Sequence, residues 1–285
     1  MGRLVLLLMS AALVAAPSAT PQTSRNVLAR SVIRTVSLAP NAIRAFTLSC
    51  PSGYAAASGG VERPAPGAST LGVRPAGPRA YAFRFGNPAG NPRRDVRVAV
   101  ACRRISGAAP YFELRRLESK PIAVAAGGRK QVALSCPRGT AAVGAGFELD
   151  PRRAGSASGF AGSPLSLRRE TRTLSRFTLA VGNRGSARHS VVFYGACLTV
   201  VRGVGSTARL QVRITTSTTP LQPGGQVVKD TCPAGWFSLA TGYSLPNEVT
   251  LEGSSTSPRG GGWSLTNAAS SQVLTDLQLV CGRLV

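Results

Sequence analysis

The sequence predicts an all-β protein: three tandem antiparallel β-sandwich-like repeats, each closed by its own disulfide. Three observations carry this. The tetrapeptides Cys50-Pro51-Ser52-Gly53, Cys136-Pro137-Arg138-Gly139 and Cys232-Pro233-Ala234-Gly235 open three segments of similar make-up. Each segment ends on an alternating apolar run that reaches Cys102, Cys197 or Cys281. Between these landmarks no stretch keeps a helical apolar period for three turns, whereas period two recurs. The expected organisation is a leader at 1–19 and repeats at 25–110, 116–203 and 208–285.

The elements follow in the same order within each repeat. A leading strand precedes each opening cysteine, near Val32 to Leu38, Ile122 to Ala126 and Leu210 to Thr216. A second strand runs into that cysteine, with Phe46, Leu48 and Cys50 alternating in repeat one and Val132, Leu134 and Cys136 in repeat two. Repeat three places Asp230 where the others have leucine, which implies a strand end or a basic partner, since a buried unpaired carboxylate is costly. Proline after the cysteine cannot donate to a ladder, so the cysteine sits at a strand end, and the following glycine makes a turn.

Ten residues beyond each opening cysteine stands another glycine, Gly60, Gly146 or Gly242. A glycine inside a strand pattern marks a bulge or a close backbone approach. Loops rich in Pro, Gly and Ser come next, at 63–79, 151–166 and 253–262. An alternating strand then ends on Asn87, Asn183 or Asn267, a turn signal, and the last strand closes the repeat. About six strands per repeat result, as in a small sandwich. Linkers of about a dozen residues also allow a merged fold in which the repeats share sheets.

Six cysteines permit 15 pairings. Only 50–102, 136–197 and 232–281 treat the three repeats alike, with separations of 52, 61 and 49 residues. Each closure stabilises a fold of this size by ~4 kcal/mol in the chain-entropy model. Disulfides imply an oxidising compartment, and the N-terminus agrees. Arg3, the apolar run from Leu4 to Ala16 and small residues up to Ala19 read as a secretory signal too short to span a bilayer.

The Cys-Pro-x-Gly opening, the glycine at plus ten, the asparagine-terminated strand and the late cysteine resemble repeats of secreted bacterial proteins of uncharacterised function. That resemblance implies export and a β-rich extracellular module, and no particular chemistry. The cysteine spacing is also similar to that of immunoglobulin-like domains, but the match stops there. No Trp lies a dozen residues after Cys50 or Cys136, and no Tyr stands two before a closing cysteine.

Catalytic constellations are scarce, and the chain reads as a non-enzyme. The lone histidine, His189, lies beside Arg188, and no Gly-x-Ser-x-Gly elbow exists. Eleven carboxylates are thinly scattered. Glu62 and Glu148 share a repeat position, with Arg63 or Arg138 as expected neighbours. Cysteine spacing offers no zinc site, and Gly203-Val-Gly205 leads into a β-branched stretch, so no cofactor or metal is expected.

Charge is the informative remainder. Thirty-one arginines and three lysines give +23 overall. Residues 25–118 carry 15 basic and 4 acidic groups, 119–204 carry 13 and 3, and 205–285 carry 5 and 4. Arg93, Arg94, Arg97, Arg103, Arg104, Arg152, Arg153, Arg168, Arg169 and Arg172 are the candidate anion-binding residues, because guanidinium matches phosphate, sulfate and carboxylate. The expectation is a secreted extracellular or cell-envelope protein whose first two repeats bind an anionic cell-surface polymer or polysaccharide. No specific nucleic acid and no transmembrane segment are expected. The competing expectation is an extracellular carbohydrate hydrolase with two carboxylates meeting in the variable loops.

Overall fold

A computed structural model describes residues 26–107, 111–149, 165–202 and 207–285. The leader at 1–19, Asp150, Arg152, Arg153 and the stretch 203–206 lie outside the described residues. The protein is all-β, with three sheets and one disulfide in each repeat. Among the described residues no helix is long and apolar enough to cross a membrane.

Repeat one supplies β1 (Val27–Leu38), β2 (Ala42–Ser49), β3 (Ala55–Arg63), β4 (Ser69–Gly77), β5 (Ala80–Asn87) and β6 (Arg94–Ile105). In repeat two the leading strand is broken into β7 (Tyr111–Glu118) and β8 (Ile122–Val124). It continues with β9 (Arg129–Ser135), β10 (Ala141–Leu149), β11 (Leu165–Arg172), β12 (Arg176–Asn183) and β13 (His189–Val201). Repeat three runs through β14 (Leu210–Leu221), β15 (Gly224–Thr231), β16 (Phe237–Ser244), β17 (Val249–Thr256), β18 (Gly260–Asn267) and β19 (Val273–Leu284). The Pro, Gly and Ser-rich stretches 63–79 and 253–262, expected as loops, thus hold β4 and the end of β17, and β7 begins at Tyr111, before the expected start of repeat two at 116.

Each repeat folds as two three-stranded half-sheets facing one another. In repeat one these are β1-β6-β3 and β2-β5-β4. Phe83, Phe85, Val98 and Val100 interdigitate between them around Cys50 and Cys102. Repeats two and three have corresponding cores, built on Phe177, Leu179 and Phe193 and on Trp263, Leu265 and Leu279. Alternation therefore buries one face of every strand within its own repeat.

The half-sheets do not stop at the repeat boundary. β3 pairs with β17 of repeat three, β10 with β4 of repeat one, and β11 with β16 across repeats two and three. Three larger sheets result, ordered β1-β6-β3-β17-β18-β15, β2-β5-β4-β10-β13-β7 and β14-β19-β16-β11-β12-β9. The connectivity is cyclic, because every repeat donates one half-sheet to each of the other two. Of the two arrangements that the linkers allow, the molecule combines both: a separate core per repeat, and shared sheets.

The glycine at plus ten makes this possible. A Cβ built on Gly60 would lie 2.0 Å from the Ser254 carbonyl oxygen. On Gly146 it would lie 2.1 Å from that of Val73, and on Gly242 2.4 Å from that of Glu170. In all three cases the obstructing backbone belongs to another repeat. The close approach read from the sequence is thus the joint between repeats.

A second threefold feature sits three residues earlier. Register shifts fall at Ala56/Ser58, Ala142/Gly144 and Ser238/Ala240. The bulged residues Ala57, Val143 and Leu239 are all fully buried in a fourth core shared by the three repeats. Leu198, Phe237 and Val280 complete its centre. A bulge turns one extra side chain out of the local alternation, and here that side chain supplies the shared core.

Landmark turns repeat as well. Gly53, Gly139 and Gly235 adopt φ of 79°, 80° and 78°, a region closed to most side chains. Asn87, Asn183 and Asn267 are buried, each tying its strand end to the end of the leading strand. The Asn183 amide nitrogen, for instance, donates to the carbonyls of Val124, Ala125 and Ala187 at 2.8–3.1 Å. The turn signal in the sequence is therefore a clamp, with three carbonyls held by Asn87 and by Asn183 and two by Asn267. Asp230 lies at the end of β15, where its Oδ1 accepts from the Thr231 N–H at 2.7 Å.

Candidate functional site

Where the arginines lie decides what they can bind. Arg103 is fully buried. Its Nε donates to the Ser238 carbonyl at 2.7 Å, and its Nη2 donates to Ser238 Oγ and the Ser257 carbonyl at 3.0 Å each. Nη1 reaches the carbonyls of Cys102 and Arg30. Burial pushes the guanidinium pKa down to about 9, so it remains charged at neutral pH. Its donors tie repeat one to repeat three and leave nothing for an external anion.

Arg172 is buried too. It donates to the carbonyls of Val143 and, at 2.7 Å, Thr241, and it meets Glu170 Oε1 at 2.6 Å. Burial raises the Glu170 carboxyl pKa against the pull of this guanidinium. Arg84 completes the pattern, its Nη1 donating to the Leu149 carbonyl at 3.0 Å across the joint of repeats one and two. Buried backbone carbonyls at strand junctions need donors, and a guanidinium offers five in a fixed fork. Part of the arginine excess therefore holds the three repeats together.

Of the remaining candidates, Arg97 is engaged by Glu62 at 2.7 Å. The partner of Glu148 is Arg74 at 3.0 Å, with Tyr194 Oη at 3.3 Å. The carboxylate neighbours expected from sequence, Arg63 and Arg138, are thus replaced by cross-strand arginines. Arg93 and Arg94 mark the start of β6 and Arg104 its far end. At ~3.3 Å per residue they are roughly 30 Å apart, several screening lengths at physiological salt. They do not form one site.

Repeat two does bring arginines together. Arg168 occupies the bulge of β11 between Leu167 and Arg169. Its Nη1 donates to the Val249 carbonyl at 2.8 Å. Arg184 Nη2 donates to the Asn247 carbonyl at 2.9 Å, and Arg129 Nη2 donates to Asn247 Oδ1. Position 182 shows how close their stems are: a Cβ there would be 3.7 Å from Arg168 Cγ and 3.9 Å from Arg129 Cγ. Burial lowers the Arg168 pKa, and the positive charges of Arg184 and Arg129 lower it further, while Glu248 raises it. Three guanidiniums thus gather around the loop at 246–248. Arg169 lies next to this cluster, its Nε on Ser244 Oγ at 3.2 Å.

Arg129 and Arg184 lie 55 residues apart and outside the paired arginines of the sequence, so no local signal joins them. Pairing of Gly182 with Arg129 between β12 and β9 unites them. His189 begins β13 opposite Val124. Among the described residues no group of three or more His, Cys, Asp or Glu is placed to hold a metal ion. No protein-family model and no curated protein matches this chain.

Proposed function

We propose that the protein is a secreted, non-enzymatic extracellular or cell-envelope protein that binds anionic polymers through arginines of repeats one and two. The observation that carries this reading is the convergence of Arg129, Arg168 and Arg184 on one loop, through the Val249 carbonyl, the Asn247 carbonyl and Asn247 Oδ1. Arg129 and Arg184 are exposed, and each has donors beyond its one bond to Asn247. A flexible polyanion carrying sulfate, phosphate or carboxylate groups presents complementary charge without requiring a deep pocket. Three intra-repeat disulfides support an oxidising, extracellular setting.

The hydrolase reading asks for two free carboxylates facing one cleft. Glu170 and Glu252 do line a common cavity, but Glu170 is bonded to Arg172. That engagement favours binding over catalysis.

The test uses the whole chain on a dextran sulfate column under a salt gradient. Replacing Arg129 and Arg184 together by Gln should lower the eluting salt concentration clearly while leaving thermal stability within a few degrees. Elution at unchanged salt removes the cluster as the binding site.

A further inference from the structure

Where the three joints converge, the fold leaves a cavity of about 280 Å3. Residues from β3, β4, β10, β11, β16 and β17 all line it, so each repeat contributes. An engineered void of ~150 Å3 in another protein accommodates benzene, and this one has room for a ligand of about ten heavy atoms.

The wall is apolar over much of its extent, with Val61, Val73, Phe85, Phe147, Leu251 and the Tyr243 ring. Two carboxylates interrupt it, Glu170 from repeat two and Glu252 from repeat three. Glu252 is half-buried, yet it has no hydrogen bond or ion pair among the described residues. In a chain with 34 basic residues and 11 acidic ones, a half-buried carboxylate without a cation is out of place unless something else supplies the charge. Arg168 also reaches this wall, but its guanidinium donates to the Val249 carbonyl. Arg172 neutralises Glu170 through Oε1 alone, at 2.6 Å, leaving Oε2 without a bond among the described residues.

Comparison of the repeats sharpens the point. The cross-joint pairs are Val61 with Ser254, Phe147 with Val73 and Tyr243 with Glu170. The bulged positions beside them are Leu71, Arg168 and Glu252, of which Arg168 and Glu252 line the cavity. Framework residues (cysteine, glycine, asparagine) are the same three times, whereas the residues at the cavity differ each time. Simple space filling in a threefold arrangement is met by apolar side chains, as Ala57, Val143 and Leu239 show in the shared core. Different chemistry at each corner is what an asymmetric ligand requires.

We propose that this cavity binds a small amphiphilic cation: a protonated amine with an apolar body, the ammonium on Glu252 and the free oxygen of Glu170, the body against Phe85, Phe147 and Leu251. The polyanion site lies at the loop 246–248 and shares Arg168 alone with this cavity; its test replaces Arg129 and Arg184, which do not line the cavity, so the two readings stand or fall separately.

Calorimetric titration of the full-length protein with phenethylammonium, 2-phenylethanol and 3-phenylpropanoate separates the contributions of charge and apolar bulk. The cation should bind at least tenfold more tightly than the alcohol, and the carboxylate should not bind. Glu252→Gln should reduce cation affinity tenfold or more and leave the weak alcohol binding in place. Thr250→Phe, which fills part of the cavity, should abolish both. Equal affinity for cation and alcohol, cation binding unchanged in E252Q, or cation binding that survives T250F would each overturn the assignment, as would the absence of any binding.

Discussion

Replacing Gly146 by alanine tests the joints directly. The new Cβ would sit 2.1 Å from the Val73 carbonyl oxygen, 2.9 Å from Arg74 Cα and 3.0 Å from the Val73 carbonyl carbon. All three atoms are backbone, so no rotamer change relieves the contact. Ordinary van der Waals separation begins near 3.4 Å, so β10 and β4 must part by more than 1 Å. A ladder bond of ~2.9 Å does not survive that displacement. The joint holds two registered pairs, Phe147 with Val73 and Glu148 with Gly72, and a lost backbone hydrogen bond costs about 1 kcal/mol. Overpacking adds ~1–3 kcal/mol. The expected loss is roughly 3–5 kcal/mol, or about 10 °C in Tm for a chain of this size. Guanidinium chloride unfolding of the oxidised protein, followed by far-ultraviolet circular dichroism, measures it. Gly225→Ala is the control, since only Thr266 Oγ1, at 3.9 Å, comes within 4 Å of a Cβ there. It should shift stability by less than ~0.5 kcal/mol. If G146A is as stable as G225A, the repeats do not meet at this glycine, and the cyclic arrangement of shared sheets is refuted.

Two further outcomes are expected. Arg103→Leu, which installs the residue that repeat two carries as Leu198, strips donors from the Ser238 and Ser257 carbonyls and should cost about 2–4 kcal/mol. Its elution from dextran sulfate should not change; earlier elution at unaltered stability would make Arg103 a binding residue. Three of the five tyrosines should ionise late in a spectrophotometric titration. Burial raises the pKa of Tyr81 and Tyr243, and burial followed by the Glu148 charge pushes Tyr194 up to about 12. Their folded pKa values lie above the unfolded value of ~10. The stability they confer is therefore complete below pH 10 and is lost as pH rises from there towards their folded values. Ionisation of all five at pH 10 with the circular dichroism intact would show that these phenols are not buried.

The repeat grammar was legible because it is local. Proline after cysteine, a positive-φ glycine two residues later, and alternation into the closing cysteine each depend on neighbours a few residues away. Identical landmarks in three repeats likewise point to one bridge in each. Gly60, Gly146 and Gly242 could be read as close approaches, but not what they approach. Asn87, Asn183 and Asn267 could be read as turns, but not as clamps. Glu252 and Glu170 lie 82 residues apart, and no short-range signal relates them.

By itself, then, the sequence determined the alternating strands, the landmark turns and the cysteine partners, all of which follow from side-chain period and backbone restriction within about ninety residues; β4 and the end of β17, which lack that alternation, were legible only as loop. Tertiary structure decided which half-sheet each free edge joins, because an unpaired row of N–H and C=O groups accepts a strand from its own repeat or from another with the same local chemistry. That choice also sorts the guanidiniums: those brought to a joint are desolvated among carbonyls and hold the ring, and those left on the rim, with Arg129 and Arg184 among them, remain available to solvent and to its anions.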